Sequence, residues 1–155
     1  MKRTIGLLVL LAVALGAVAV AGASSSGDER VLRSELIGNV AKPLGGATIF
    51  GVDPAGASWV VASSDVDARR DGRLKVKFEG LLLVNTGTVG NNTAVTASLY
   101  CDGKLIGTTD PFALSPEGDG ETDTTIAAAP KPCRVPTVFV SPSGRPNVYF
   151  AVTGA

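Results

Sequence analysis

The sequence predicts an all-β protein, an antiparallel β-sandwich of roughly eight or nine short strands with one disulfide. Short apolar or alternating runs recur along the chain and are separated by turn signals. Nineteen glycines and nine prolines favour tight turns between such strands. Beyond the N-terminal apolar run, no long stretch shows the 3.6-residue apolar period of a helix. A partly open β-barrel is the alternative architecture for the same strands.

The N-terminus has the three-part pattern of a secretory signal. Lys2 and Arg3 precede an uncharged run from Ile5 to Ala23, which ends in small residues. Residues 1–23 are therefore predicted to be a signal peptide, and the mature chain is predicted to be secreted and extracellular. The alternative is a membrane anchor formed by an uncleaved N-terminal segment, because the run approaches the roughly 20 residues that span a bilayer.

Signal cleavage would leave about 130 residues, the usual size of a single domain. Residues 24–44 begin with the small and polar sequence SSSGDER and are predicted to be a flexible lead-in. Residues 45–155 are predicted to form the single sandwich domain. The chain has fourteen basic and fourteen acidic residues, so no electrostatic feature favours nucleic acid as a partner. No membrane contact is expected after signal cleavage.

The clearest strand lies within residues 69–84. Leu74, Val76 and Phe78 alternate with charged residues, as on a strand with one buried and one solvated face. Asp71-Gly72 before this run predicts a hairpin turn, because Gly adopts the positive φ that such turns need. Further strands are predicted at 47–52, 58–63, 94–101, 112–115, 121–129, 135–141 and 147–154, with a second hairpin turn at Asp102-Gly103.

Cys101 and Cys133 are the two cysteines of the chain. An exported chain meets an oxidising compartment, so the two residues are predicted to form a disulfide. Cys101 also shares the apolar side of its alternating strand with Leu99, which favours a buried bond. A nucleophilic cysteine would need a base, and the chain has no histidine.

The absence of histidine excludes a serine–histidine triad and imidazole-dependent metal centres. The sequence contains no zinc spacing, phosphate loop or dinucleotide fingerprint. No catalytic residue and no cofactor is therefore predicted. A small carbohydrate-active enzyme that uses carboxylates near Asp119 is the alternative, because two carboxylates suffice for glycoside hydrolysis.

Two charged patterns are candidate sites. Acidic residues at alternate positions of a predicted loop resemble calcium ligands in type, although the glycine of a helix–loop–helix calcium motif is missing; the alternative is the solvated face of an edge strand. The calcium candidates are Glu117, Asp119, Glu121 and Asp123. A basic stripe on the clearest strand and its hairpin is a candidate site for an anionic polymer or a solvated sheet face. Its residues are Arg69, Arg70, Arg73, Lys75 and Lys77.

Several segments together resemble a group of small secreted single-domain proteins of unknown function from high-GC bacteria. The segments are DGRLKVKFEGLLL, ASLYCDG, PFALSPEGDG, PCRVPTVFV and YFAVTG. The resemblance spans residues 45–154 and implies export and one disulfide-linked sandwich domain, but it implies no activity. The expected function is a non-catalytic secreted protein that binds a protein or a polymer at the cell envelope or outside the cell. A calcium-dependent module and a purely structural extracellular protein are the alternatives.

Overall fold

The computed structural model describes residues 29–154, and the predicted signal peptide lies outside this range. The described residues contain fourteen β-strands and one short 3-10 helix, Lys42–Leu44, but no helix that is long and apolar enough for a membrane span. Nine strands have three or more residues, and the other five have two, so the longer strands match the predicted number. The strands are β1 (Arg30–Ser34), β2 (Leu36–Gly38), β3 (Asp53–Pro54), β4 (Trp59–Val60), β5 (Ser63–Arg69), β6 (Arg73–Glu79), β7 (Leu82–Leu83), β8 (Ala94–Cys101), β9 (Lys104–Thr108), β10 (Phe112–Ala113), β11 (Gly120–Thr125), β12 (Pro136–Pro142), β13 (Val148–Tyr149) and β14 (Ala151–Thr153).

Two antiparallel sheets form the sandwich. The first sheet has the order β1-β5-β6-β11, and the second has the order β10-β8-β12-β14-β2, with β9 also paired to β8. Two small ribbons, the parallel pair β3–β13 and the antiparallel pair β4–β7, flank them. Within residues 29–154 no strand ladder joins the two large sheets, so the sandwich prediction is confirmed and the partly open barrel is not formed.

The main core lies between the two large sheets. The inward side of β6 consists of Leu74, Val76 and Phe78, which are completely or almost completely buried. They belong to the same cluster as Val95 and Leu99 on β8. The period-two alternation of β6 therefore separates apolar and charged side chains as predicted.

A second, smaller core covers the outer side of the second sheet. Along β12, Val138 and Val140 contribute to the main core, whereas Phe139 between them points to the opposite side. Phe139 is fully buried there against Val52 and Tyr149. The segment that contains Val52 therefore covers this side of the second sheet.

Both predicted hairpin turns are present. Gly72 has a φ of +95° and donates its N–H to the carbonyl oxygen of Arg69 at 3.1 Å. Asp102 and Gly103 have φ values of +51° and +80°, the positive values that a two-residue type I′ hairpin requires. These turns set the registers of β5 with β6 and of β8 with β9.

Residues 24–44 are predicted to be a flexible lead-in. This prediction is wrong for the two described strands in that range. β1 pairs with β5, and β2 pairs with β14 at an edge of the second sheet. Leu36 is buried in the main core. The sequence of this region alternates weakly, and its partners lie far along the chain, so local periodicity does not reveal these two strands.

The predicted disulfide is confirmed. Cys101 and Cys133 are bonded, with their Cα atoms 5.2 Å apart. Cys101 ends β8 and is buried in the main core. The bond therefore ties the end of β8 to the segment that leads into β12.

Candidate functional site

The basic stripe lies on the outer side of the first sheet. Arg73, Lys75 and Lys77 occupy alternate positions of β6, while Arg69 ends β5 and Arg70 follows it in the turn. The structure therefore brings the predicted residues to one region. The sequence does not predict which residues of the adjacent strands lie beside them.

Carboxylates from the adjacent strands neutralise much of the stripe. β5 presents Asp67 beside Lys75, and β11 presents Asp123 on the other side of Lys75. Lys77 stands in the same way between Asp65 and Glu121. Ion pairs join Arg69 to Asp67 (2.6 Å), Arg70 to Glu29 (3.1 Å), Arg73 to Asp123 (2.9 Å) and Lys75 to Glu121 (3.8 Å). The outer face of the first sheet thus alternates in charge, which weakens the case for an anionic polymer on it.

The four calcium candidates are not gathered into a site. Asp119 accepts a hydrogen bond from the backbone N–H of Gly80 at 3.0 Å, while Glu121 and Asp123 take part in the ion pairs of the charged face. Glu117 lies in the exposed turn before β11. Among residues 29–154, no three or more acidic, cysteine or histidine side chains are arranged to hold a metal ion.

A cavity of about 390 Å³ lies where β6, β10 and β11 meet, and Glu79, Asp119 and Glu121 line it. Each of these carboxylates has a partner in the fold. Glu79 accepts a hydrogen bond from the Ser63 hydroxyl at 3.1 Å, and the partners of Asp119 and Glu121 are described above. These contacts give each carboxylate a structural role in the region where β5, β6 and β11 meet.

The Arg73–Asp123 pair is two-pronged, since Nε and Nη2 of Arg73 donate to separate carboxylate oxygens at 3.1 and 2.9 Å. The hydrogen bond and charge of Arg73 lower the pKa of Asp123 from its ordinary value. A lowered folded-state pKa means that the pair stabilises the fold above the unfolded-state pKa of the carboxyl. That stabilisation is lost as the pH falls through the folded-state pKa.

In Arg73→Gln we expect the Asp123 carboxyl to titrate at a higher pH than in the wild type, close to the ordinary aspartate range. NMR of the carboxyl carbon measures this directly. Arg33→Gln is the matched control, because Arg33 pairs with Asp65 (3.4 Å) on the same face. An Asp123 titration curve that is the same in Arg73→Gln and the wild type would contradict the prediction.

A second candidate surface is apolar and lies around the β4–β7 ribbon. Val60 pairs with Leu82 across the β4–β7 ribbon, and the backbone N–H of Val84 donates to the carbonyl of Ser58 at 3.0 Å. Strand alternation therefore places Val60, Leu82 and Val84 on one side of the ribbon. Leu44 and Val84, which are 74% and 58% exposed, line one cavity of about 300 Å³. We call the exposed residues Leu44, Val60 and Val84 the Leu44 face.

The sequence does not reveal the Leu44 face, because its members come from three separate segments. Leu44 lies within the predicted lead-in, and Val84 ends the 69–84 segment that contains the clearest predicted strand. No charged side chain lines the cavity. The face is therefore suited to an apolar group and offers no charged side chain to an anion.

Comparisons with known proteins do not identify a relative. Neither a protein-family model nor a curated protein nor a solved structure matches this chain.

Proposed function

We propose that the chain is a secreted, non-catalytic module that binds a protein partner at the cell envelope or outside the cell. The observation that carries this proposal is the Leu44 face, with its uncharged cavity. Exposed apolar side chains that surround a cavity are typical of interaction surfaces. A partner that inserts an aliphatic side chain between Leu44 and Val84 would remove both from water.

A protein partner is favoured over an anionic polymer. Four of the five basic-stripe residues form ion pairs within the fold, so a polymer would have to compete with carboxylates that are already in place. No charged side chain lines the Leu44 cavity, so a partner that binds there does not have to displace an ion pair.

Co-sedimentation with envelope fractions tests the proposal. The full chain is expressed in an exporting host, and the mass of the purified product establishes its N-terminus. Digestion of the proteins of the envelope fraction beforehand should reduce the amount of this chain that sediments. The Leu44→Asp variant should show a reduction of the same size without digestion. Ile37→Asp is the control, because Ile37 is also largely exposed but lies outside the Leu44 face.

Two results would overturn the proposal. Sedimentation that neither digestion nor Leu44→Asp changes would exclude a protein partner at this face. Sedimentation that high salt abolishes, while Leu44→Asp leaves it intact, would favour an anionic polymer on the charged face.

A further inference from the structure

A second exposed apolar surface lies at the end of the second sheet that carries the Asp102-Gly103 turn. Phe50, Leu105 and Val135 are 41%, 54% and 50% exposed. Leu105 pairs with Tyr100 across the β8–β9 ladder, and Val135 exchanges hydrogen bonds with Asp102 at 2.9 and 3.2 Å. We call Phe50, Tyr100, Leu105 and Val135 the Phe50 ledge.

Phe50 occupies a conformation that its residue type disfavours. Ile49 and Val52 exchange both backbone hydrogen bonds, at 3.0 and 2.9 Å, so Phe50 and Gly51 form a two-residue hairpin turn. The φ of Phe50 is +52°, a value at which Asn or Gly is usual and a bulky residue is a genuine outlier. At this turn the aromatic ring of Phe50 lies against Gly103. It also stacks near Tyr100, with the two ring centroids 6.2 Å apart.

Positive charges border the Phe50 ledge. Lys104 and Arg134 are both exposed, and neither forms an ion pair within residues 29–154. The carboxylate of Asp102 between them accepts the backbone N–H groups of Arg134 and Val135. The ledge thus combines exposed apolar side chains with two cations and one carboxylate, which leaves a net positive charge.

The N-terminal segment joins the domain near this end. Glu29, the first described residue, pairs with Lys131 at 3.3 Å. Lys131 lies three residues before Arg134, and the intervening Cys133 is bonded to Cys101, beside the turn. Glu29 therefore enters the domain near the end that carries the Asp102-Gly103 turn.

We propose that the Phe50 ledge docks on the surface of an anionic lipid bilayer. Phe50, Leu105 and Val135 would enter the interfacial region, and Lys104 and Arg134 would lie at the level of the anionic headgroups. The ledge is built on two hairpin turns and is not part of the cavities described above, which suits a deformable lipid surface better than a small ligand. This proposal revises the expectation that the mature chain makes no membrane contact, and it is independent of the Leu44 face.

Hydrogen exchange on vesicles tests the proposal on the chain from which residues 1–23 have been removed, which the mass of the purified protein verifies, because an attached apolar segment would bind vesicles by itself. The full chain is exported, and the exchange of the purified protein is followed with vesicles of equal parts phosphatidylcholine and phosphatidylglycerol. We expect slower exchange in the turns around residues 50 and 103. With phosphatidylcholine alone, or at high salt, we expect this protection to weaken.

Phe50→Asn is the decisive variant, because Asn tolerates the positive φ and the turn should still form. We expect it to lower the affinity of the ledge for anionic vesicles by about tenfold or more. Lys104→Gln and Arg134→Gln should each lower it by about fivefold, and only on anionic vesicles. Ile37→Asn is the matched control, because Ile37 is 60% exposed but belongs to neither the Phe50 ledge nor the Leu44 face, and it should leave the affinity unchanged.

Two measurements decide whether the proposal holds: the protection of the wild-type ledge by anionic vesicles, and the change of that protection in the Phe50→Asn variant. A wild-type ledge that exchanges equally fast with and without anionic vesicles would overturn the proposal and favour an acidic protein as the partner of this end. Equal protection in Phe50→Asn and the wild type would overturn it as well. Thermal melting of each variant confirms that the fold is retained.

Discussion

Replacing both Cys101 and Cys133 with alanine is expected to lower the free energy of unfolding by about 3–4 kcal/mol. The two residues are 32 positions apart, and without the bond the unfolded chain regains the freedom of that loop. A small domain is stable by only about 5–15 kcal/mol in total. Loss of the disulfide is therefore expected to remove a large share of the stability.

Urea denaturation of the wild type and the double variant measures this difference. The loop that the bond closes contains β9 and β10 of the second sheet and β11 of the first sheet. Wild-type protein with its disulfide reduced is the control and should unfold at nearly the same urea concentration as the variant. A loss below about 1 kcal/mol would mean that the unfolded chain is already compact in this region.

The sequence predicts the parts of this fold that depend on neighbouring residues. β6 follows a tight turn and alternates without exception, so its buried face and its pairing with β5 can be deduced locally. β1 and β2 are different. They pair with residues far along the chain, and their own alternation is weak, so only the complete sheets show that they are strands.

The charged candidates show the same limit for function. The sequence predicts the basic stripe and the acidic run as two separate sites, yet the β6–β11 ladder places them side by side. Arg73 and Asp123 are 50 residues apart in sequence, and no local pattern indicates that they pair. Because they pair, the charge of Asp123 offsets the charge that made Arg73 a candidate for an anionic polymer. In the same way, Arg73 offsets the charge that made Asp123 a calcium candidate.

The sequence does not reveal the two apolar surfaces for a related reason. The Leu44 face and the Phe50 ledge are each assembled from separate segments, and each segment taken alone is typical of a turn or a strand. Phe50-Gly51 is the exception in principle, because a two-residue turn with an aromatic residue at positive φ is unusual. That signal appears only when the Ile49–Val52 hydrogen bonds are known.

Phe139→Ala is expected to destabilise the fold by about 3–5 kcal/mol, because it removes a fully buried ring and leaves a cavity. The ring packs edge-on against Tyr100 and at a tilt against Tyr149, with centroids 5.1 and 5.5 Å away. Phe139→Leu keeps much of the volume and is expected to lose clearly less. The difference between the two variants measures how much of the second core depends on the ring.

The ladder supplies a control in the same row. Phe139 pairs with Val152, and Val152 pairs with Ile37, which is largely exposed. Ile37→Ala is therefore expected to change the free energy of unfolding by no more than about 0.5 kcal/mol. Hydrogen exchange of the Ile49 and Val52 amides should accelerate in Phe139→Ala more than exchange in β6, because the 49–52 hairpin packs on the second core. Equal acceleration in both places would show that the second core and the main core unfold as one unit.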